Sequence, residues 1–213
     1  MNKLNVYILN MPQRQERKAS VEREFEKRKS IFNTTFVCPI GNVIPRVSHW
    51  LTFLNLVRNA KQEALPYFVF CEDDHIFTND YDEPFFIDTF CEADAIEADV
   101  LLGGVSWMDV PVQVTDHLFW LNGFNGTQFV IVFSRFYDRI LDSQYDERHV
   151  VTHFHISSNS DNIFVTYPFF SVQKEFGYSD VTSFNNKEGY VDGLFKGTSI
   201  GLDILDKVRT FYE

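Results

Sequence analysis

Residues 66–77, with the sequence PYFVFCEDDHIF, constrain the fold of this chain more than any other stretch. Residues 67–71 are aromatic, β-branched or small, which is the composition of a strand buried on both faces of a sheet. Three carboxylates, Glu72, Asp73 and Asp74, follow directly. Because ligands of open α/β sheets bind outside the carboxyl ends of the strands, the sequence predicts that these acids face a binding crevice.

The order of the three acids suggests two roles. If the chain stays extended, Glu72 and Asp74 lie on one side and Asp73 on the other. One side can then hold a hard divalent cation through oxygen, and the other can accept hydrogen bonds from a ligand hydroxyl. Without a cation, repulsion between the carboxylates raises at least one pKa. The alternative interpretation is a solvated turn after a strand.

The remaining chain alternates predicted strands with predicted helices. Strands are expected at residues 4–9, 31–37, 99–102, 118–121, 128–133 and 149–156, and helices at about 12–29, 45–64, 85–95, 134–141 and 200–211. Residues 182–197 are rich in Asn, Gly and Ser and are expected to be mobile. This alternation predicts an α/β fold in which helices flank an open, mixed, mainly parallel sheet. We expect one domain over residues 1–213, complete or part of a longer protein.

Composition excludes several classes of function. The net charge of −11 argues against a nucleic-acid partner, because phosphate backbones are bound by clustered Lys and Arg. The scattered cysteines Cys38, Cys71 and Cys91 contain no CxxC pair, which argues against a disulfide framework and a structural zinc site. No apolar run approaches the ~20 residues of a membrane span. We therefore expect no transmembrane segment and a cytoplasmic location, in a bacterium or a virus-infected host cell.

Further candidates lie near predicted element ends. Arg14 falls in the first turn of a helix that follows the first strand, where helix N-termini bind phosphate. Ser48 and His49 lie near the start of the second long helix. His153 and His155 would share one face of the predicted strand at 149–156, a spacing at which two His can bind one metal.

Six segments occur in a fixed order along the chain. They are VYILNMPQRQERK (6–18), SHW (48–50), FVFCEDD (68–74), GTQFVIVFSR (126–135), SDNIFV (160–165) and YPFFSVQKEFGYSDV (167–181). As an ordered set they resemble glycosyltransferases of the GT-A fold, and among them the lipopolysaccharide-type family usually called family 25. The chain departs from that family at Asn10, where an Asp usually follows the first strand. A fainter similarity is to the glycosyltransferase domains that large DNA viruses of algae use on their capsid protein.

The resemblance implies a Rossmann-like GT-A fold, a nucleotide-diphosphate-sugar donor that is commonly UDP-linked, and a glycan or glycoprotein acceptor. It also implies a divalent cation, Mn²⁺ or Mg²⁺, at the acidic motif, which makes the protein a metal-dependent hexosyltransferase. The implied metal ligands are Glu72 and Asp74, to which we add His153 and His155. The implied nucleotide-sugar contacts are Leu9, Asn10, Arg14, Ser48, His49 and Asp73.

An inverting transferase also needs a carboxylate near the acceptor hydroxyl as a base. Asp161 is the first candidate for this base and Asp109 the second. Two other functions stay open at this point. The same acids would serve a metal-dependent nucleotidyltransferase or phosphohydrolase. Alternatively, Trp107, Trp120 and Phe124 would be stacking platforms of a non-catalytic glycan-binding module.

Overall fold

The computed structural model describes residues 3–41, 44–178 and 183–211. Its strands are β1 (Leu4–Leu9), β2 (Phe32–Val37), β3 (Tyr67–Glu72), β4 (His75–Phe77), β5 (Val100–Leu102), β6 (Trp107–Asp109), β7 (Val112–Gln113), β8 (Leu118–Trp120), β9 (Gly123–Asn125), β10 (Phe129–Phe133), β11 (Ile163–Thr166) and β12 (Ser171–Gln173). Its helices are α1 (Gln15–Glu26), α2 (Pro45–Gln62), α3 (Glu83–Ala95), α4 (Tyr137–Asp142), α5 (Thr152–Ser158) and α6 (Tyr190–Thr210), with 3₁₀ turns at Ser134–Phe136 and Ser183–Asn186.

The main sheet has the strand order β2-β1-β3-β10-β5-β11-β8-β7. Strands β2, β1, β3, β5 and β11 run in one direction, and β10 and β8 run against them. The predicted fold class, an open, mixed, mainly parallel sheet flanked by helices, is confirmed.

Both faces of the sheet are buried, which explains the apolar strand sequences. Residues alternate along β1: Leu4, Val6 and Ile8 pack under α1 and α3, whereas Tyr7 and Leu9 face the core beneath α2. Phenylalanine rings fill much of both cores, and Phe68, Phe70, Phe129 and Phe133 are almost completely buried. Two aromatic-rich layers therefore hold the sheet rigidly between helices.

The strand order places a topological switch point at β1. The chain passes from β1 through α1 to β2 on one side, and then through α2 to β3 on the other side of β1. The helices α1 and α2 cover opposite faces. Because the connections diverge there, a crevice opens outside the carboxyl ends of β1 and β3. Leu9 pairs in register with Glu72, so the acidic motif lies at this crevice.

The prediction of a strand at residues 149–156 is wrong, because this segment forms α5 over Thr152–Ser158. Its buried residues, Thr152 and Ile156, are spaced by one helical turn. The segment expected to be mobile, 182–197, contains in its described part the 3₁₀ turn Ser183–Asn186 and the start of α6 at Tyr190. Residue 182 lies outside the described residues, as do residues 179–181 at the end of the segment YPFFSVQKEFGYSDV (167–181).

Two small antiparallel ribbons, β4 with β12 and β6 with β9, complete the structure. No helix in the described ranges is both long enough and apolar enough to cross a membrane.

Candidate functional site

A cleft of about 540 Å³ opens at the switch point. Its walls come from the starts of α1 and α2, the end of β3, one end of the β6–β9 ribbon, the start of α5, the segment after β12 and the start of α6. A second depression, of about 680 Å³, lies between α1 and the edge strand β2, away from the acidic motif. The first cleft combines converging polar side chains with a position at the carboxyl edge of the sheet, so it is the candidate site.

The acidic motif does not continue as an extended strand. Strand β3 ends at Glu72, and Asp73 and Asp74 form a turn before β4. The Nη1 atom of Arg17 lies 3.2 Å from Oδ1 of Asp73 and 3.3 Å from Oδ2 of Asp74. The two aspartates therefore share one guanidinium, which supplies positive charge where the sequence suggested a cation.

Arg17 is held on several sides. Its Nη2 donates to the backbone oxygen of Tyr178 at 2.6 Å, and its guanidinium lies 4.8 Å from the ring centre of Phe176 and 4.4 Å from that of Tyr178. Burial alone would lower the pKa of Arg17, but Asp74 and Asp73 outweigh it and raise the pKa. Arg17 thus ties α1 to the acidic motif and to the segment after β12.

Asp73 acts behind the cleft wall. It is buried, and its Oδ2 accepts a hydrogen bond of 2.9 Å from Nδ2 of Asn10 and lies 3.6 Å from Nη1 of Arg14. These contacts join the ends of β1 and β3. The predicted nucleotide contacts Asn10 and Asp73 are therefore structural neighbours of the site, and only Arg14 among these three lines the cleft.

Leu9 and Ser48 are also placed behind the lining. Leu9 packs against the core under α2. Ser48 is buried and donates its hydroxyl to the backbone oxygen of Ile40. Neither residue lines the cleft. Leu9 and Ser48 can therefore influence a bound ligand only indirectly, by positioning the residues that line the cleft.

Glu72 belongs to a hydrogen-bonded group with α2 and α5. Thr127 donates its hydroxyl to Oε1 of Glu72, and Nε2 of His49 lies 3.5 Å from the same oxygen. The Nδ1 atom of His49 is 2.7 Å from Oγ1 of Thr152. Burial would raise the pKa of Glu72, but His49 and Thr127 outweigh it and lower the pKa. Glu72 is consequently held as an anion in the cleft wall.

Asp74 has spare coordinating capacity. Its Oδ1 is buried and has no hydrogen-bond partner among the described residues. Burial raises the pKa of Asp74 well above its ordinary range and the Glu72 carboxylate adds to this, whereas Arg17 opposes it. No group of three or more His, Cys, Asp or Glu side chains in the described ranges is arranged to hold a metal. A cation at Asp74 would therefore have to take its other ligands from phosphate and water.

The two predicted histidine ligands are separated. His153 lines the cleft, where burial and His49 lower its pKa to about 4 although Glu72 opposes this. His155 points elsewhere, since its Nε2 is 2.8 Å from Oγ of Ser143 and its ring centre lies 4.5 Å from that of Trp50. Residues two apart on a helix face different directions, so the expected shared metal site is lost with the strand prediction.

The predicted bases are not brought to the cleft. Asp161 precedes β11 and therefore lies at the amino ends of the parallel strands, opposite the acidic motif. Asp109 lies at the far end of β6 and accepts a hydrogen bond of 2.7 Å from Asn122. Neither lines the cleft.

The three proposed stacking residues do not form one platform either. Phe124 is fully buried in the core. Trp120 donates its ring N–H to the backbone oxygen of Asp161, at the opposite edge of the sheet. Trp107 is exposed and lies next to the cleft.

The cleft is less acidic than the whole chain. Its lining contains four basic side chains, Arg14, Arg17, Arg46 and Lys174, and three acidic ones, Glu72, Asp74 and Glu175. In a protein of net charge −11 this local excess of basic groups favours an anionic ligand.

No family model matches the chain, and no curated protein matches it, so membership of family 25 stays a prediction. Solved structures are similar to it at low identity. One is a glycosyltransferase involved in the glycosylation of the major capsid of PBCV-1, with a TM-score of 0.46 and 10% identity over 76% of this chain and 80% of that one. Another is a UDP-glucose pyrophosphorylase, with a TM-score of 0.49 and 5% identity over 92% and 81%. A third is a mannose-1-phosphate geranyltransferase from Thermus thermophilus, with a TM-score of 0.44 and 10% identity over 78% and 74%.

Proposed function

We propose that this protein is a glycosyltransferase that takes a hexose from a nucleotide-diphosphate donor, with UDP as the expected nucleotide, and transfers it to a hydroxyl of a glycan or glycoprotein. The observation that carries the proposal is the unpartnered, buried Oδ1 of Asp74 in a cleft with more basic than acidic side chains. A diphosphate with its cation satisfies both features, because the cation takes the carboxylate oxygen and the basic side chains attract the phosphates.

The described residues suggest how the donor is held. Asp74 would hold Mn²⁺ or Mg²⁺ together with the diphosphate. Arg14, Arg46 and Lys174 surround the same space and would contact phosphate oxygens. Arg17 stays paired with both aspartates and opposes the rise in the pKa of Asp74 that burial causes. Burial and Glu72 still raise the pKa of Asp74 on balance, so a cation bound at Asp74 would favour the anionic form of this ligand.

The transfer itself is a substitution at the anomeric carbon. The acceptor oxygen forms the new bond, the bond from carbon to the diphosphate oxygen breaks with its electron pair, and the hydroxyl proton passes to a base or to solvent. When bound, the cation stabilises the charge that develops on the leaving diphosphate. The chain contributes orientation, because the rigid ends of β1 and β3 fix the groups that hold the donor.

Calorimetric titration with UDP, GDP and CDP, each with and without Mn²⁺, tests the donor assignment. We expect one nucleotide, UDP, to bind tightly and only with the metal. Incubation of the matching nucleotide sugars with glycan acceptors then separates glycosyl transfer from nucleotidyl transfer or phosphate release, because the products differ. If none of the three nucleotides binds in either condition, the proposal fails.

The substitution Asp74→Asn tests the cation ligand. We expect the variant to fold and to lose metal-dependent nucleotide affinity by more than about 100-fold, since loss of an outer-shell partner alone costs up to that much. Asp161→Asn is the matched control, because Asp161 is exposed at the opposite edge of the sheet. It should leave nucleotide binding and transfer unchanged. Equal nucleotide affinity in Asp74→Asn and in the unaltered protein would refute the assignment.

A further inference from the structure

Two exposed aromatic rings lie at the mouth of the cleft, on the side formed by α5 and the β6–β9 ribbon. Trp107 is 46% exposed and Phe154 is 52% exposed. Their ring centres are 6.5 Å apart with an interplanar angle of 76°. Large rings gain free energy by burial, so an exposed pair beside a polar cleft indicates a surface that a ligand covers.

This aromatic pair is continuous with the cleft. Phe154 lines it directly. Ser106 precedes Trp107 in the chain, Asn125 pairs with Trp107 in the ribbon, and both line the cleft as well. The two rings therefore extend the cleft wall outwards from the region of Glu72 and Asp74.

His153 lies between the rings and the acids. It lines the cleft, and its ring centre is 4.3 Å from that of Phe154. Within the described part of the chain, its ring nitrogens have no hydrogen-bond partner, although its neighbour His49 is bonded on both sides. An imidazole with open nitrogens inside a cleft can accept a hydrogen bond from a ligand hydroxyl.

We propose that the acceptor is a sugar whose ring stacks on the indole of Trp107, with Phe154 as the adjoining apolar wall, and whose reacting hydroxyl donates a hydrogen bond to His153. This inference rests on the proposed glycosyl transfer and identifies the acceptor half of the same cleft. A pyranose matches the surface because one end of the site presents an exposed aromatic ring with a second ring at an angle beside it, and the other end offers a hydrogen-bond acceptor. The donor half consists of Asp74, Arg14 and Lys174, which line the same cleft.

Tryptophan fluorescence gives a direct test of sugar binding. Trp50 is fully buried and Trp120 is partly buried at the opposite edge of the sheet, whereas Trp107 is half exposed, so the part of the acrylamide quenching that is lost in Trp107→Phe reports on Trp107. The probes are methyl glycosides of glucose, galactose, mannose, xylose and fucose, with UDP and Mn²⁺ present. We expect at least one glycoside to protect the fluorescence from quenching, and the protection to disappear in Trp107→Phe, which removes the reporting indole.

Transfer kinetics with the protective glycoside as acceptor test the role of the rings. Trp107→Ala and Phe154→Ala should each raise the acceptor KM about tenfold, and Trp107→Phe should recover most of the loss. UDP affinity with Mn²⁺ should stay unchanged in all three. Phe211→Ala is the matched control, because Phe211 is 86% exposed and does not line the cleft.

His153→Ala should lower kcat and acceptor affinity together, and His153→Gln, which retains a hydrogen-bond acceptor, should recover part of the affinity. An unchanged acceptor KM in both ring variants, or no protection by any glycoside, overturns the acceptor site. If UDP fails to bind but a glycoside still protects Trp107, the proposed transferase function fails while the sugar site stands.

Discussion

At the scale of single residues, Arg17 organises the site. One guanidinium contacts Asp73, Asp74 and the backbone of Tyr178, and its side chain is 6% exposed. Buried carboxylates that lose such a partner remain desolvated without compensation. A buried arginine from α1 therefore neutralises part of the charge of the acidic motif and offsets part of the cost of burying Asp73 and Asp74.

Replacement of this arginine gives a sharp prediction. Arg17→Met retains much of the side-chain volume but leaves Asp73 and Asp74 without their shared partner, so we expect a loss of about 3–5 kcal/mol in the free energy of unfolding. Arg23→Met is the control, because Arg23 is exposed on the same helix, and its effect should stay within about 0.5 kcal/mol. Urea denaturation measures both. Similar small losses in the two variants would show that Arg17 does not stabilise the acidic motif in this way.

The sequence predicted Arg14 at the site and missed Arg17. The signal for Arg17 was present, because the buried residues of α1 are Arg17, Ser20, Val21 and Phe25, which form one helical stripe. An arginine on an otherwise buried stripe requires an anionic partner. The partners themselves lie 56 and 57 residues away, and only the pairing of β1 with β3 brings them together.

At the scale of elements, α5 shows why alternation in a short segment misleads. The sequence THFHI alternates in polarity and predicts a strand, but the segment forms a helix whose buried residues, Thr152 and Ile156, are one turn apart. Ser157, Ser158 and Asn159 each donate to the backbone oxygen four residues earlier. In the helix, His155 points away from the cleft and His153 lines it. Because the segment was assigned the two-residue repeat of a strand, both histidines were predicted on one face as ligands of the same metal.

The first turn of α6 forms part of the cleft wall and depends on a side chain from another segment. Both carboxylate oxygens of Glu175 accept backbone N–H groups, from Gly189 at 2.6 Å, Val191 at 2.7 Å and Asp192 at 3.2 Å. Burial would raise the pKa of Glu175, but these N–H groups outweigh it and lower the pKa. Glu175 thus caps a helix that begins more than ten residues later in the chain.

Removal of this cap should loosen the cleft wall. In Glu175→Ala we expect amide hydrogen exchange at Val191 and Asp192 to accelerate about fivefold or more, which corresponds to the ~1 kcal/mol typical of a lost cap. Glu188→Ala is the matched control, because Glu188 is exposed close to the same helix end. Unchanged exchange in Glu175→Ala would mean that packing of α6, rather than the cap, holds this turn.

At the scale of the whole molecule, the fold class and the position of the site could be predicted because they depend on local patterns. Apolar strands, amphipathic helices and acids at a strand end determine the sheet and its functional edge. The position of the predicted bases, Asp161 and Asp109, relative to the cleft could not be predicted in this way. Asp161 lies before β11, at the edge of the sheet opposite the acidic motif. The sequence alone does not show at which edge of the sheet the loop that carries Asp161 lies.

Global stability should depend on pH through a histidine in the core. His75 is 1% exposed among the rings of Phe25, Phe77 and Phe129, and burial, with a contribution from Arg28, lowers its pKa to about 3. In the unfolded chain its pKa is about 6.5. Between these values the unfolded state binds a proton that the folded state does not, so stability falls as the pH falls from about 6.5 towards 3.

From this shift we expect His75 to account for a loss of about 2 kcal/mol in the free energy of unfolding between pH 7.5 and pH 5. His75→Gln removes the titration while an amide can still bond to Ser171, the present partner of Nδ1 at 2.8 Å. Urea unfolding of both proteins at the two pH values isolates the effect. Asp74, whose raised pKa acts in the opposite direction, is common to both and cancels in the comparison. A variant that loses as much stability as the unaltered protein on acidification would show that His75 becomes protonated without unfolding, through local opening of the core near β4.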